Sequence, residues 1–293
     1  MTEERIRIAL QKKGRLQESC EKIFKNCGLS YNVGERQLYY SISEMPVDLL
    51  FVRDDDIPSL VSQGTCDFGI VGLNTFEEVK YEDKENFNAS IFAKLGISKC
   101  RLSIAIPETM NFENLSDLNK LTIATTYPNI VKNFLNQNNI KANTVLMNGS
   151  VEISPSLKLA DIIADIVSSG ATLKQNNLKE IITILESEAV LINNNNINSE
   201  KREIANRLMV RINSALSVSS KKYVVLNAPK DKIDEIVKIL PGSESPSMLP
   251  LANKDMVSIH AICTETMFWD VMEKLKELGA SSIAVLPIEK MLN

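Results

Sequence analysis

The sequence has 293 residues, 44% of them hydrophobic and 24% charged, which suits a soluble protein of two or three domains with cores of their own. A formal net charge of -4 without a long basic run counts against a nucleic-acid partner. Anionic ligands stay open, provided that a few Lys and Arg side chains gather locally or metal ions assist.

The N-terminus, MTEERIRIAL, is followed by no apolar export segment, and no apolar run reaches the roughly 18 residues of a spanning helix, so a cytoplasmic protein is expected. Cys20, Cys27, Cys66, Cys100 and Cys263 are odd in number and form no CxxC pair, the pattern of reduced, buried thiols. A single histidine, His260, excludes HExxH and every other site built on a histidine pair. A histidine-dependent triad would have to centre on His260, and no GxSxG nucleophile motif accompanies it.

In chain order, Arg5–Leu10 alternates and then runs apolar, as a buried first strand does. A turn at Gly14 leads into an amphipathic helix over Leu16–Cys27, ended by Gly28. Val47–Val52 is a second buried strand, Ile57–Gln63 a short helix stopped by Gly64, and Asp67–Gly72 a third strand, whose glycines mark close backbone approach. Strands alternating with helices predict an α/β unit with a mostly parallel sheet.

A second such unit spans about Cys100–Glu186. Its expected strands are Arg101–Ile106, Leu121–Thr125, Asn143–Met147 and Ile166–Ser168, with a helix over Asn129–Asn138 entered through Pro128. Ile181–Glu186 and Ala189–Ile192 are expected to return the chain to the first unit. Two such lobes leave a cleft suited to a ligand. The run Asn193–Asn196 reads as a solvated turn, and a helix over Ser199–Leu216 leads to the last unit. There Tyr223–Leu226, Lys230–Leu240, Met256–Cys263, Glu265–Leu278 and Ser282–Leu286 give strand, helix, strand, helix, strand. A further strand within Ser247–Ala252 makes this a ferredoxin-like βαββαβ module. In its last helix Phe268, Val271, Met272, Leu275 and Leu278 share one face.

The stretch richest in chemistry is Asp165-Ile-Val-Ser-Ser-Gly-Ala-Thr172. A strand ends there in a turn of small residues that opens a short helix. Backbone N–H groups of such a turn can close around a phosphate, with hydroxyls as further donors and Asp165 beside them for sugar hydroxyls or a water-bridged metal. The same residues equally describe a tight turn with a helix cap.

The stretch resembles the loop that binds phosphoribosyl pyrophosphate (PRPP) in phosphoribosyltransferases. Ala164, where many members carry a second acid, sets it apart from the purine-salvage type. With Gly149-Ser-Val-Glu152 and then Leu159-Ala-Asp-Ile162 preceding it, it is similar to the ATP phosphoribosyltransferase family. Gln11-Lys-Lys-Gly-Arg-Leu16, the segment Val52–Pro58, Asp67–Gly72, Cys100-Arg-Leu-Ser103 and Ala124-Thr-Thr-Tyr-Pro128 extend the resemblance through both lobes. Gly279–Ile283 and Pro287–Met291 resemble the regulatory domain of the long form. Leu73, Asn129 and a shortened Tyr81–Phe87 region depart from the pattern.

The resemblance implies a fold and a set of roles. The fold is a two-lobed, periplasmic-binding-protein-like α/β core, with residues 1–98 and 187–218 as one lobe and 99–186 as the other, followed by a ferredoxin-like regulatory domain over 220–293. The implied reaction is attack of adenine N1 of ATP on C1 of PRPP, expelling pyrophosphate with Mg2+ held mainly by substrate phosphates. Ser168, Ser169, Gly170, Ala171 and Thr172 would take the 5′-phosphate, and Asp165 and Glu152 the ribose hydroxyls or Mg2+. Lys12, Arg15 and Arg53 would meet pyrophosphate and triphosphate, and Asp67, Gly69 and Tyr127 would line the ATP side. Asn227, Ser245, Leu251, Ala252 and Ser282 would bind histidine as a feedback inhibitor, in dimers that assemble into a hexamer. The competing reading is a two-lobed small-anion binding protein or effector sensor without turnover.

Overall fold

The computed structural model describes residues 4–31, 38–218, 221–240, 246–288 and 291, with backbone alone for residues 265–270. The chain separates into two units, Met1–Lys22 with Leu29–Asn206, and Ile23–Gly28 with Arg207–Asn293. Through the first unit it runs β1 (Ile6–Gln11), the greater part of α1 (Arg15–Asn26), β2 (Tyr39–Ile42), β3 (Val47–Val52), α2 (Ile57–Ser62), β4 (Phe68–Gly72), α3 (Leu73–Glu82) and β5 (Ala89–Lys94). Then come β6 (Cys100–Pro107), β7 (Thr122–Thr125), α4 (Pro128–Gln137), β8 (Asn143–Leu146), β9 (Ile162–Val167), α5 (Ala171–Gln175), β10 (Leu178–Ser187), β11 (Ala189–Asn194) and the beginning of α6 (Ser199–Ser217).

These strands form two sheets. The first has the order β2-β3-β1-β4-β11-β5 and the second β10-β6-β9-β7-β8. In the first, β1 runs parallel to β3 on one side and β4 on the other, so the strand order reverses at β1. In the second, β7 runs parallel to β8 and β9 and is the corresponding reversal point. Ligands of open α/β sheets gather beyond the carboxyl ends of strands at such points.

Side-chain alternation explains why helices cover both faces of the second sheet. Ile104, Ile106, Ile162 and Ala164 join one core with Val131 and Leu135 of α4, while their neighbours Ala105 and Ile163 join another with Val151 and Leu173. In the first sheet Ala9, Val71, Val190 and Ile192 pack with Ile57 and Val61 of α2 and with Phe76 of α3.

Two sequence expectations change here. Ile181–Glu186 does not return to the first lobe. It lies within β10, antiparallel to β6, and only β11 crosses back to pair with β4 and β5. The asparagine run is a solvated turn only in its second half, Asn195–Asn196. Asn193 and Asn194 end β11 and are buried at 3% and 6% exposure. Asn194 Nδ2 donates to the carbonyls of Val61 (2.8 Å) and Ser62 (3.1 Å) at the end of α2, and its Oδ1 accepts from Asn196 N–H at 2.8 Å. A buried amide with every group paired holds a chain crossing that apolar residues could not satisfy.

The second unit contains the rest of α6, β12 (Lys221–Pro229), α7 (Ile233–Ile239), β13 (Ser247–Pro250), β14 (Met256–Thr264), α8 (Glu265–Glu277) and β15 (Ser281–Pro287). Its sheet order, β13-β14-β12-β15, with two helices on one face, is the ferredoxin-like arrangement. Val224, Leu226, Val257, Ile259 and Ala261 meet Ile236 and Leu275, with Val271, Met272 and Leu278 packed alongside; the Phe268 side chain lies outside the described residues. His260 sits within this sheet. Its Nδ1 shares a 2.7 Å hydrogen bond with Tyr223 Oη and its Nε2 a 3.2 Å bond with Ser258 Oγ, neither an acid that would complete a triad.

Among the described residues no helix is long and apolar enough to cross a membrane. Cys20, Cys27, Cys66 and Cys263 are buried and Cys100 is half-buried, none in a disulfide. Burial pushes the thiols of Cys20 and Cys66 up to about 12 and about 11, so neither is a nucleophile near neutrality.

Candidate active site

The carboxyl ends of the parallel strands in both lobes carry most of the candidate residues. In the first lobe, β1 and β3 pair up to Gln11 and Val52, and Lys12 N–H donates to Val52 C=O at 2.8 Å. Lys12 and Arg53 therefore leave adjacent strands side by side, with Arg15 opening α1 just beyond. All three are exposed. Asp54, Asp55 and Asp56 follow Arg53 in a short 3-10 turn, and burial with the two flanking acids raises the Asp55 carboxyl.

In the second lobe, Tyr127 follows β7, Glu152 lies in a short turn after β8, and Asp165 and the Ser168–Thr172 loop lie at the end of β9. Gly170 has φ +78 at the entry to α5, a left-handed conformation that strains any side-chain-bearing residue although the space around it is open. Ser168, Ser169, Ala171 and Thr172 are exposed. Among the described residues no group takes the N–H of Ser169 or Gly170, and that of Ala171 reaches only Ser169 Oγ at 3.4 Å. The loop presents donors to solvent, as an anion cradle requires.

Asp165 is largely buried, and one oxygen accepts the N–H of Ile166 at 2.7 Å. Burial raises its carboxyl above the usual range, and the nearby Glu152 charge raises it further. Tyr127 is raised by burial and by the negative field of Asp165, Asp54 and Asp55, which come from both lobes. The strand ends of the two lobes thus share one acidic field, with Lys12, Arg15 and Arg53 at its first-lobe side.

The lobes are joined directly at this edge. Asn74 of α3 is buried; its Nδ2 donates to Tyr127 Oη at 2.9 Å and its Oδ1 accepts from Ser187 Oγ at 2.7 Å. Four residues along the same helix face, Glu78 accepts the N–H groups of Asn129 (2.8 Å) and Ile130 (2.9 Å) at the start of α4. A carboxylate there satisfies two orphan donors and the positive end of the helix. Asn129 also donates its side-chain amide to the Glu78 carbonyl at 3.3 Å, while Leu73 packs on the first-lobe core. Sequence reasoning passed over Asn74 and Glu78. The available signal was their four-residue spacing in the segment after Gly72.

Two expected ATP-side residues stand elsewhere. Asp67 precedes β4, at the opposite edge of the sheet, where it accepts Arg7 N–H at 2.8 Å and pairs with Lys201 at 2.7 Å. It helps to line a polar hollow of ≈ 330 Å³ with Gln63, Asn194, Asn198 and Lys201. Gly69 lies inside β4 under α2, where an added Cβ would stand 2.5 Å from Ile57 Cγ2 and 3.0 Å from Val61 Cγ2. The structure gives both a structural use and does not bring them to the edge that holds Tyr127.

In the second unit Asn227 on β12 lies between Ser258 of β14 and Ser281 of β15. Leu249 pairs with Ser258, so Leu251 and Ala252, just past β13, fall at the same end of the sheet as Asn227 and Ser282. Ser282 has φ +50, and Ser245 lies outside the described residues.

Among the described residues no cluster of three or more His, Cys, Asp or Glu side chains forms a metal cage. The pair Glu152 and Asp165, in which the Glu152 charge raises the Asp165 carboxyl, instead fits partial coordination of a cation whose remaining ligands come from a phosphorylated substrate.

The chain is similar to known proteins in sequence and in fold. Residues 53–214 match the family model described as ATP phosphoribosyltransferase (HisG), and residues 219–290 match the HisG C-terminal domain. The chain is 47% identical to the ATP phosphoribosyltransferase of Bacteroides thetaiotaomicron over 287 residues, covering 98% of this chain and 99% of that protein. The Parabacteroides distasonis enzyme of the same name is 46% identical with the same coverage. Among solved structures, a chain of the ATP phosphoribosyl transferase (HisG:HisZ) complex from Thermotoga maritima superposes with a TM-score of 0.59 at 23% identity, covering 71% of this chain and 96% of that one, a likeness of fold. With a catalytic core and a C-terminal regulatory domain both matched, the chain belongs to the ATP phosphoribosyltransferase family in its long form.

Proposed function

We propose that the facing strand ends of the two lobes are the catalytic site for the family reaction, transfer of the 5-phosphoribosyl group of PRPP to N1 of ATP with release of pyrophosphate, the first step of histidine biosynthesis. The observation that carries this assignment is the Asp165–Thr172 loop, with its open N–H groups and a largely buried, raised Asp165 at the end of β9. Ser168, Ser169, Gly170, Ala171 and Thr172 hold the 5′-phosphate, and Asp165 and Glu152 hold the ribose hydroxyls or complete the shell of the cation. Mg2+, when bound with the substrate, supplies charge neutralisation at the leaving pyrophosphate. Lys12, Arg15 and Arg53 draw the polyphosphate groups to the first-lobe side. Tyr127, fixed by Asn74, packs beside the adenine. No covalent nucleophile enters, since the reaction needs two anionic reactants held in line and the emerging charges matched.

The family resemblance supports two further readings. The ferredoxin-like domain binds histidine near Asn227, Leu251, Ala252 and Ser282, lowering activity, and the chain assembles as dimers that join into a hexamer. Reduced thiols and the substrates themselves support work in the cytoplasm.

Steady-state kinetics of loop variants test the assignment. Thr172→Ala is expected to raise KM for PRPP about tenfold, and Asp165→Asn to lower kcat/KM for PRPP about a hundredfold, the scale of hydrogen bonds to charged groups. Wild-type PRPP kinetics in both variants would remove the loop from the site.

A further inference from the structure

Arg101, the second residue of β6, lies beside Val167, the last residue of β9. Its Nε and Nη2 donate to the two carboxylate oxygens of Glu180 on β10, each at 2.5 Å, and Ser103 Oγ adds a third donor to Glu180 Oε1 at 2.7 Å. The ladder between β10 and β6 is irregular just after Glu180, a local feature of the kind that re-aims a side chain. The remaining arm of the guanidinium, Nη1, reaches the carbonyl oxygen of Ser168 at 3.3 Å. One side chain therefore spans from β10, across β6, to the first residue of the Ser168–Thr172 loop.

The guanidinium is a rigid plane. Once two of its N–H vectors are set by Glu180, the direction of Nη1 is set as well. The peptide that follows Ser168 is also planar, and its C=O and N–H point in opposite directions. A Ser168 carbonyl drawn toward Arg101 turns the Ser169 N–H the other way, and that N–H has no other taker among the described residues. The loop then presents a donor, rather than a repelling carbonyl, to an anion.

We infer that Arg101, held by Glu180, is a positioning residue for the phosphate loop: it orients the Ser168–Ser169 peptide so that its N–H faces the PRPP 5′-phosphate. This rests on the assignment of Ser168–Thr172 as the phosphate loop. The charge of Arg101 is cancelled by Glu180, so the effect runs through geometry and not through attraction of the anion by the guanidinium. The two possibilities differ in sign. If Arg101 acted as a charge, removing the Glu180 carboxylate would tighten PRPP binding. As a positioning device, it must weaken it.

Initial-rate kinetics of the full-length enzyme, with PRPP and ATP varied separately and thermal melts alongside, decide the matter for Arg101→Lys, Arg101→Gln and Glu180→Gln. Each is expected to raise KM for PRPP by about tenfold while KM for ATP stays within about twofold. Arg101→Lys does not rescue, because an ammonium cannot hold both the carboxylate and the carbonyl in one plane. Tighter PRPP binding in Glu180→Gln, a wild-type PRPP KM in Arg101→Lys, or equal losses for both substrates would each overturn the inference. Thr172→Ala separates this from the parent assignment. If it raises KM for PRPP and Arg101→Lys does not, only the positioning role fails. If Thr172→Ala has no effect on PRPP, the loop assignment fails and the inference with it.

Discussion

The Asp165 carboxyl lies largely buried at the end of β9, spends one oxygen on the Ile166 N–H, and faces the negative charge of Glu152. Its ionised form is disfavoured by burial first and by repulsion second. A carboxyl whose folded-state titration is raised costs stability where it is ionised, above the folded value, and the cost vanishes as pH falls below the ordinary carboxylate range. Asp165→Asn is therefore expected to raise the melting temperature near pH 7 by about 2–4 °C, roughly 1 kcal/mol in a protein of this size, while lowering PRPP use as proposed above. The gain should shrink as the pH of the melt is lowered toward 4. A variant less stable than wild type at pH 7 would show that the Asp165 carboxylate is held by favourable contacts instead. Glu180 is the opposite case. Its carboxyl is lowered, chiefly by the Arg101 hydrogen bonds, so that pair contributes stability above the ordinary carboxylate value and loses it in acid.

At the scale of elements, the contact of α2 with β4 shows how glycine can serve packing rather than chemistry. Gly69 leaves room for Ile57 and Val61, both fully buried. Gly69→Ala forces the helix off the sheet and is expected to cost about 1–3 kcal/mol in urea or thermal unfolding. An unchanged midpoint would mean that α2 moves freely over the strand. The same position shows where sequence reading stops. The strand Asp67–Gly72 was legible from its apolar run, yet a glycine close to backbone and one close to a helix look alike in one dimension. The expectation that Asp67 lines the nucleotide side rested on a motif, which does not tell which end of a strand its acid occupies. Asp67 proved to be paired with Lys201 of α6, which lies 134 residues away in sequence. The turn at Ser168–Thr172 was legible as a turn between a strand and a helix because its signal is local: small side chains, hydroxyls and one glycine. Arg101, Asn74 and Glu78 were not, because their meaning comes from partners brought close only by the crossing of β6, β9, β10 and α3.

At the scale of the molecule, alternating strands and helices correctly indicated two α/β lobes and a small βαββαβ module, since each is fixed by hydrophobic period and by turns. The return crossing was harder. β10 and β11 are consecutive strands with one residue between them, and nothing in their composition separates the one that stays from the one that crosses back. Once β11 pairs with β4 and β5, the strand ends of both lobes meet along Asn74–Tyr127 and Glu78–Asn129. The first-lobe strand ends carry the cations Lys12, Arg15 and Arg53 and the second-lobe ones the Ser168–Thr172 loop, which is what the proposed transfer between two anionic substrates demands. The most direct measurement is turnover of the full-length protein with ATP, PRPP and Mg2+, with pyrophosphatase present and the adenine product identified by mass spectrometry. Formation of phosphoribosyl-ATP, falling when histidine is added, is the predicted result. Folded protein that binds PRPP yet forms no phosphoribosyl-ATP under magnesium-replete conditions would contradict the account.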